Sequence, residues 1–323
     1  MSKLISIICP VFNEENSLIP FTSEISKIFE NLDYDFEIIF IDDGSIDSTL
    51  MKVKRIKEEH NNIGFISFTR NFGKDAALTA GLNYAKGDAV IPMDVDLQDP
   101  PDLIPKMIEL WQSGKDIVLA KRGSRSKDSW LKRNSATFYY YLMDKVGDQH
   151  LHSNVGDFRL MSQRVVAAIN TLEERSRYMQ GLLSWVGYDI AIIEFDRVER
   201  YSGNTKFNYT KLICHALDGL TSFSIVPLRF WGFLGFIFSS IAFIYGGYIT
   251  LYTLITGGDT DGFASIFVAI VFFGGVQLIS IGVLGEYIGR IYMEAKSRPI
   301  YLIKEKTIKK NKGDSNLFVE LKQ

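Results

Sequence analysis

Apolar and polar positions change in blocks along the first 120 residues. Short runs rich in β-branched and aromatic residues at 4–9, 36–41, 64–69, 89–93 and 116–119 alternate with segments of helical periodicity at 17–32, 48–59, 74–84 and 103–113. The first set reads as strands and the second as helices. Strands that are apolar nearly throughout are covered on both faces, so the alternation predicts a mostly parallel sheet in an α/β domain. In such sheets ligands bind beyond the carboxyl ends of the strands. Polar residues gather at those ends: Asn13, Glu14 and Glu15 after the first run, Asp42 and Asp43 after the second, Arg70 and Asn71 after the third, Asp94 and Asp96 after the fourth. A purely structural protein has little use for four polar clusters at one end of one sheet.

The pattern then changes. Residues 121–133 are basic and poor in apolar residues, which predicts a loop carrying Lys121, Arg122, Arg125, Lys127, Lys132 and Arg133. Residues 130–146 mix Trp130, Phe138 and three tyrosines with cations, as a helix lying in a membrane interface would. A soluble amphipathic helix packed on the sheet is the competing reading. Residues 156–160 read as a further short strand with a helix from Gln163, and 200–207 as a polar, glycine-containing loop before a helix at 209–223. No charged residue occurs at 230–255 or at 263–284. Each run is near or above the ~20 residues that cross a bilayer as a helix; the alternative is a helical hairpin buried in a soluble protein. Arg229 on one flank and Arg290, Lys296, Arg298, Lys304 and Lys306 on the other place both termini in the cytoplasm by the positive-inside rule.

The expected layout is a cytosolic catalytic domain at 1–208, an interfacial helix at 209–225, a transmembrane hairpin at 226–293 with spans at about 229–255 and 263–290, and a polar cytosolic tail at 294–323. Gly274, Gly275, Gly282, Gly285 and Gly289 suggest a small-residue face for close helix packing. Glu286 and Arg290, four apart, suit a local salt bridge rather than catalysis.

Composition narrows this further. A chain of 323 residues has room for two domains, and its net charge of −2 gives no support to nucleic-acid or other general polyanion binding. Cys9 and Cys214 lie far apart without zinc-ligand spacing and read as small core residues. The opening Met1-Ser2-Lys3 leads directly into an apolar run and lacks signal-peptide features, so the head is expected to begin in the cytosol.

The stretch from Val90 to Pro101 carries the chemistry. An apolar run ends in Asp94 and Asp96, which strand alternation would project to one side as the chain leaves the sheet. Hard oxygen ligands suit Mg²⁺ or Mn²⁺, whose shell is often completed by substrate phosphates. The bland alternative is a solvated turn, since Asp and Pro favour turns.

With ICPVFNEENSL, IDDGSIDST, FTRNFGKDAALTAGLNYAKGD, MDVDLQDPPDLIP, GDFRLMS, RYSGNTKF and GVLGEYIGRIYMEAKSRPIY in this order, the chain resembles the polyprenyl-phosphate glycosyltransferases of glycosyltransferase family 2. That group includes dolichol-phosphate mannose synthases and bactoprenol glucosyltransferases. The motifs span nearly the whole chain, and the hairpin with its GEYIGRIY ending is most similar to the bactoprenol branch. The resemblance implies an α/β nucleotide-diphospho-sugar transferase (GT-A type) domain, Rossmann-like with a mostly parallel sheet, plus a C-terminal two-helix transmembrane hairpin. It implies inverting transfer of a hexose, glucose from UDP-glucose by the branch resembled, to polyprenyl (undecaprenyl) phosphate at the cytoplasmic membrane face for cell-envelope glycan modification. UDP-N-acetylhexosamine and GDP-mannose stay open as donors.

Within that resemblance Asp96 is the leading ligand of Mg²⁺ or Mn²⁺, Asp94 contacts the ribose or the metal, and Gln98 supports the site. Pro10, Phe12, Glu14 and Asp43 frame the nucleotide base. Asp157 is either a general base or a group that orients the acceptor or the sugar hydroxyls. Arg122, Arg125, Arg133, Arg200 and Lys206 are candidates for donor and acceptor phosphates, with attraction to anionic lipid headgroups as the other reading for the basic surface. The partners implied are a nucleotide sugar, a polyprenyl phosphate lipid, the membrane and further copies of the chain. A processive synthase would need a Gln-x-x-Arg-Trp motif, and Gln180 and Trp185 lack that spacing. A non-catalytic nucleotide-sugar-binding subunit would be expected to lack the paired carboxylates, which are present.

Overall fold

The structure is a computed structural model that describes residues 2–123, 155–175, 177, 179–195, 226–256 and 262–308. The strands are β1 (Leu4–Val11), β2 (Asp35–Asp42), β3 (Ile63–Phe68), β4 (Ala89–Pro92), β5 (Ile117–Arg122), β6 (Val155–Ser162), β7 (Ile190–Phe195) and β8 (Ile303–Lys306). The helices are α1 (Leu18–Phe29), α2 (Thr49–Glu59), α3 (Lys74–Tyr84), α4 (Ile104–Gln112), α5 (Gln163–Thr171), α6 (Met179–Trp185), α7 (Val226–Thr256) and α8 (Phe263–Ala295).

All eight strands join one sheet in the order β7-β5-β6-β4-β1-β2-β3-β8. The pairs β1–β2, β1–β4, β2–β3 and β5–β7 are parallel, whereas β6 runs antiparallel to both β4 and β5, and β8 antiparallel to β3. Only β6 and β8 therefore oppose the common direction, which is the mostly parallel α/β sheet that the periodicity predicts.

Alternation along each strand divides the core. Ile5, Ile7 and Cys9 of β1 pack with α1, α2 and α4 on one face, while Ile8, with Ile39 and Ile41 of β2, packs with α3 and α5 on the other. Helix α3 is buried continuously from Ala76 to Tyr84, and its small residues let it sit directly on the strands. At Gly81 an added Cβ would lie 2.9 Å from Cβ of Ile8 and 3.0 Å from Cδ1 of Ile41, so only glycine admits this approach. The first residue of this tightly seated helix is Lys74.

The chain directly after α8, as far as residue 308, is not a free polar tail. It returns to the head, where β8 pairs with β3 at the sheet edge and covers backbone groups that would otherwise be unpaired. Just before β8, Tyr301 is fully buried, stacks on Phe68 at 4.9 Å between ring centroids, and accepts a hydrogen bond from Nδ2 of Asn83 at 3.3 Å. Tyr301→Ala is expected to cost about 3–5 kcal/mol through the cavity it opens. The measurement is a lowered Tm for the detergent-solubilised protein, and an unchanged Tm would contradict this docking.

Helices α7 and α8 are long and apolar enough to cross a membrane, and none of their most apolar stretch is buried. They meet through Phe238, which packs edge-on against Phe272 and Phe273 at 5.8 and 5.9 Å. Among the described residues the glycines do not make the contact expected of them: a Cβ at Gly274, Gly275, Gly282, Gly285 or Gly289 meets none of those residues within 4 Å. Glu286 and Arg290 do form the local pair, at 3.1 Å. At the far end of α8 the Glu294 carboxylate accepts the backbone N–H of Arg175 at 2.9 Å, joining the hairpin to the head.

Candidate active site

Four loops meet at the carboxyl ends of β1, β2, β3 and β4. After β1, Asn13 adopts φ 56, its backbone N–H donates to Ser45 Oγ at 3.0 Å, and its side-chain Oδ1 accepts the N–H of Ile46 at 3.0 Å. These bonds tie the first loop to the second. Asp42, at the end of β2, is fully engaged in structure, accepting Ser45 N–H at 3.0 Å and Ser67 Oγ–H at 2.8 Å. Gly44 has φ +71, and a Cβ there would collide with the backbone of Arg70 and Asn71. Gly44→Ala is expected to destabilise the head by more than the ~1–2 kcal/mol of left-handed strain alone, because the third loop must also shift. The Tm should fall, and an unchanged value would show that the loops are not packed this way.

The expected base-framing residues lie in this region with differing roles. Pro10 is the last residue but one of β1, opposite Ile41, and Phe12 is 45% exposed, leaving an aromatic face available. Glu14 accepts Ser17 Oγ–H at 2.9 Å, and its own N–H donates to Thr49 Oγ1 at 2.9 Å, so it also braces the start of α1. Asp43 accepts the N–H groups of Phe72 at 2.6 Å and Gly73 at 2.9 Å. Burial pushes the Asp43 pKa up, and those two N–H groups oppose the shift. Its main visible work is to fix the loop that delivers Lys74.

Strand β4 ends at Pro92, so Asp94 and Asp96 sit in a turn beyond it. Strand alternation, the reason expected for their shared direction, does not apply. The turn bends sharply at Leu97, φ 57, and Asp96 Oδ1 accepts the Gln98 N–H at 3.2 Å. A non-glycine residue held in the left-handed region is the kind of local strain found at functional sites. Gln98 is 4% exposed, and its Oε1 is buried with no hydrogen-bond partner. The two carboxylates and the orphaned amide oxygen on this one short turn are hard oxygen donors, the type that suits a divalent cation. Among the described residues no trio of His, Cys, Asp and Glu gathers as a metal cluster. Cys9 stays out of such chemistry, since burial and, secondarily, Asp94 push its thiol pKa well up.

Asp157 lies on β6 where the pairing with β5 slips: Leu119 faces Arg159, but Lys121 faces Val155. The resulting bulge re-aims the chain beside the site. Lys74 reaches this point from α3. Its Nζ lies 2.6 Å from Asp94 Oδ1 and 2.8 Å from Asp157 Oδ2. Burial lowers the Lys74 pKa, but Asp157 and Asp94 outweigh that and raise it above the usual lysine range, so the ammonium is charged. Arg159 is 5% exposed and donates from Nη2 to Gly156 O at 2.6 Å, while its Nε has no partner.

Lys74 and Arg159 were not singled out by sequence reasoning. The signal for Lys74 was present, since a cation in the first turn of a helix opposes the helix dipole and calls for a reason outside the helix. Of the expected phosphate-binding cations, Arg122 ends β5, whereas Arg125, Arg133, Arg200 and Lys206 lie outside the described residues, as do the proposed interfacial helices. Cys214 lies outside them too, and Cys9 is the buried core residue expected.

Comparison with known proteins follows the same lines. The glycosyl transferase family 2 profile matches residues 6–169. The chain is 50% identical to the prophage bactoprenol glucosyl transferase homolog of Escherichia coli (strain K12), over 93% of this chain and 98% of that protein. It is 51% identical to the bactoprenol glucosyl transferase of Shigella phage SfV, again over 93% and 98%. Among solved structures, glucosyl-3-phosphoglycerate synthase from Mycobacterium tuberculosis, crystallised with Mn²⁺, UDP and glucosyl-3-phosphoglycerate, aligns with a TM-score of 0.47 at 19% identity, over 68% of this chain and 78% of that one. With a family match across half its length and half identity to bactoprenol glucosyl transferases across nearly all of it, the chain belongs to glycosyl transferase family 2 and is a glycosyltransferase of the bactoprenol glucosyl transferase branch.

Proposed function

We propose that this enzyme transfers glucose from UDP-glucose to undecaprenyl phosphate, with inversion, at the cytoplasmic face of the membrane. The observation that carries the reading is the meeting of Asp94, from the loop after β4, with Asp157, from β6, on one ammonium at the carboxyl end of the sheet. The same chain carries two helices apolar enough to span a bilayer, and its relatives are named for glucosyl transfer to bactoprenol.

In this reading Phe12 offers its exposed face to the uracil ring, and Asp43 holds the loop at Phe72 and Gly73 beside the nucleotide. Asp94, Asp96 and Gln98 Oε1 would hold Mg²⁺ or Mn²⁺, which when bound supplies positive charge against the departing diphosphate. The acceptor is a phosphate monoester with a second pKa of about 6, so near neutral pH it is already a dianionic nucleophile. Asp157 then has no need to remove a proton and serves to orient the acceptor or the sugar hydroxyls. Arg122, Arg125, Arg133, Arg200 and Lys206 are proposed to gather the phosphates of donor and acceptor, which otherwise repel. Helices α7 and α8 keep the site at the plane where a lipid headgroup lies.

A panel of UDP-glucose, UDP-N-acetylglucosamine, UDP-galactose and GDP-mannose with undecaprenyl phosphate, read by mass spectrometry of the lipid product, tests donor and acceptor together. The expected result is a hexosyl lipid from UDP-glucose, β-linked because direct displacement inverts the α-linked donor. An α-linked product, or preference for another donor, overturns the corresponding part of the reading.

A further inference from the structure

Lys74 has no place in the reaction as derived above, yet it occupies the centre of the site. Its ammonium touches Asp94 and Asp157 at once, so the two carboxylates stand within two hydrogen-bond lengths of each other. Two anions this close repel unless a cation lies between them. The position is also firmly set from behind: α3 rests on β1 and β2 through Gly81, and Asp43 holds the backbone of the two residues before Lys74. The side chain nevertheless keeps 43% exposure, so an incoming ligand can reach it. A lysine at the head of a helix is disfavoured by the helix dipole, and here the two carboxylates compensate.

The competition this creates is specific. A divalent cation seeking Asp94 meets a carboxylate already neutralised and a fixed positive charge beside it. A nucleotide diphosphate removes that obstacle, because its oxygens offer the ammonium another partner and bring negative charge of their own. We propose that Lys74 is a positioning residue that acts as the resident countercharge of the ligand-free site, keeping divalent cations off Asp94 until a nucleotide diphosphate arrives and so coupling the two binding events. The inference rests on the reading of Asp94 as a metal ligand for a nucleotide-sugar donor, but not on the identity of the sugar or of the lipid.

The test is Mn²⁺ binding to the full-length protein in detergent, followed by the loss of the free-ion EPR signal, with and without UDP. Wild-type protein is expected to bind Mn²⁺ at least about tenfold more tightly when UDP is present. Lys74→Met should bind Mn²⁺ alone about tenfold more tightly than wild type, lose most of the UDP dependence, and transfer sugar more slowly. Lys74→Arg keeps the charge and should keep the coupling, which separates loss of countercharge from loss of fold if the methionine variant unfolds. A structural role would weaken Mn²⁺ binding and activity together. Ligand-free Mn²⁺ affinity that is unchanged or weaker in a folded Lys74→Met protein, or an arginine variant without coupling, overturns the proposal. Coupling that follows these expectations in a protein making no lipid-linked sugar would leave this inference standing and overturn the reaction proposed above.

Discussion

Asp96→Ala is expected to reduce sugar transfer by at least about a thousandfold while the head stays folded. The expected loss reflects several kcal/mol of leaving-group stabilisation, at a factor of ten per ~1.4 kcal/mol. The structural cost is small by comparison. Asp96 lies in a partly exposed turn, and the bond it accepts from the Gln98 N–H is worth about 1 kcal/mol. Tm and lipid-linked product, measured on the same preparation, separate the two effects. Near-normal turnover in the variant would remove Asp96 from the chemistry.

Asp157→Asn is expected to slow transfer by about a hundredfold or more, and the informative measurement is the rate as a function of pH. The substitution removes the negative charge that Lys74 meets at 2.8 Å and leaves Lys74 and the buried Arg159 without that countercharge. If the carboxylate positions rather than abstracts, wild type and variant share one acid limb. Both rates then fall below about pH 6, where the lipid phosphate takes up its second proton. Loss of the acid limb in the variant alone would instead mark Asp157 as the proton acceptor.

Much of the head was legible in the chain because its strands are apolar on both faces. The reading places α3 at its observed bounds, and β1 to β4 within two residues at each end, since long-range context adds little to such strong local patterns. Two strands escaped for opposite reasons. Strand β7 is only half-buried at the sheet edge, so it lacks the two-faced burial that marks β1 to β4. Strand β8, Ile-Lys-Glu-Lys, looks like a charged tail and becomes a strand only through pairing with β3, more than two hundred residues earlier. No local signal reports a partner that distant.

The site was legible as composition more than as geometry. The spacing of Asp94 and Asp96 drew attention to these carboxylates, but a turn rather than a strand presents them. Asp157 was proposed from its motif, whereas the bulge beside it depends on β5 and β6 losing register. Lys74 was read as an ordinary helix start, because its two carboxylate partners lie on segments that only the fold brings together. The glycines of α8 show the limit of pattern reading: small residues permit close approach without naming what approaches.

The central claim, that a divalent cation draws off the nucleotide while a lipid phosphate attacks the sugar, is tested most directly by UDP release in proteoliposomes. UDP-glucose would be supplied with or without undecaprenyl phosphate, and with Mg²⁺, Mn²⁺ or a chelator. The account predicts UDP release matched one-for-one by lipid-linked glucose, dependent on the lipid phosphate and abolished by the chelator. UDP release that continues unchanged without the lipid phosphate, or transfer that is indifferent to the chelator, would contradict it.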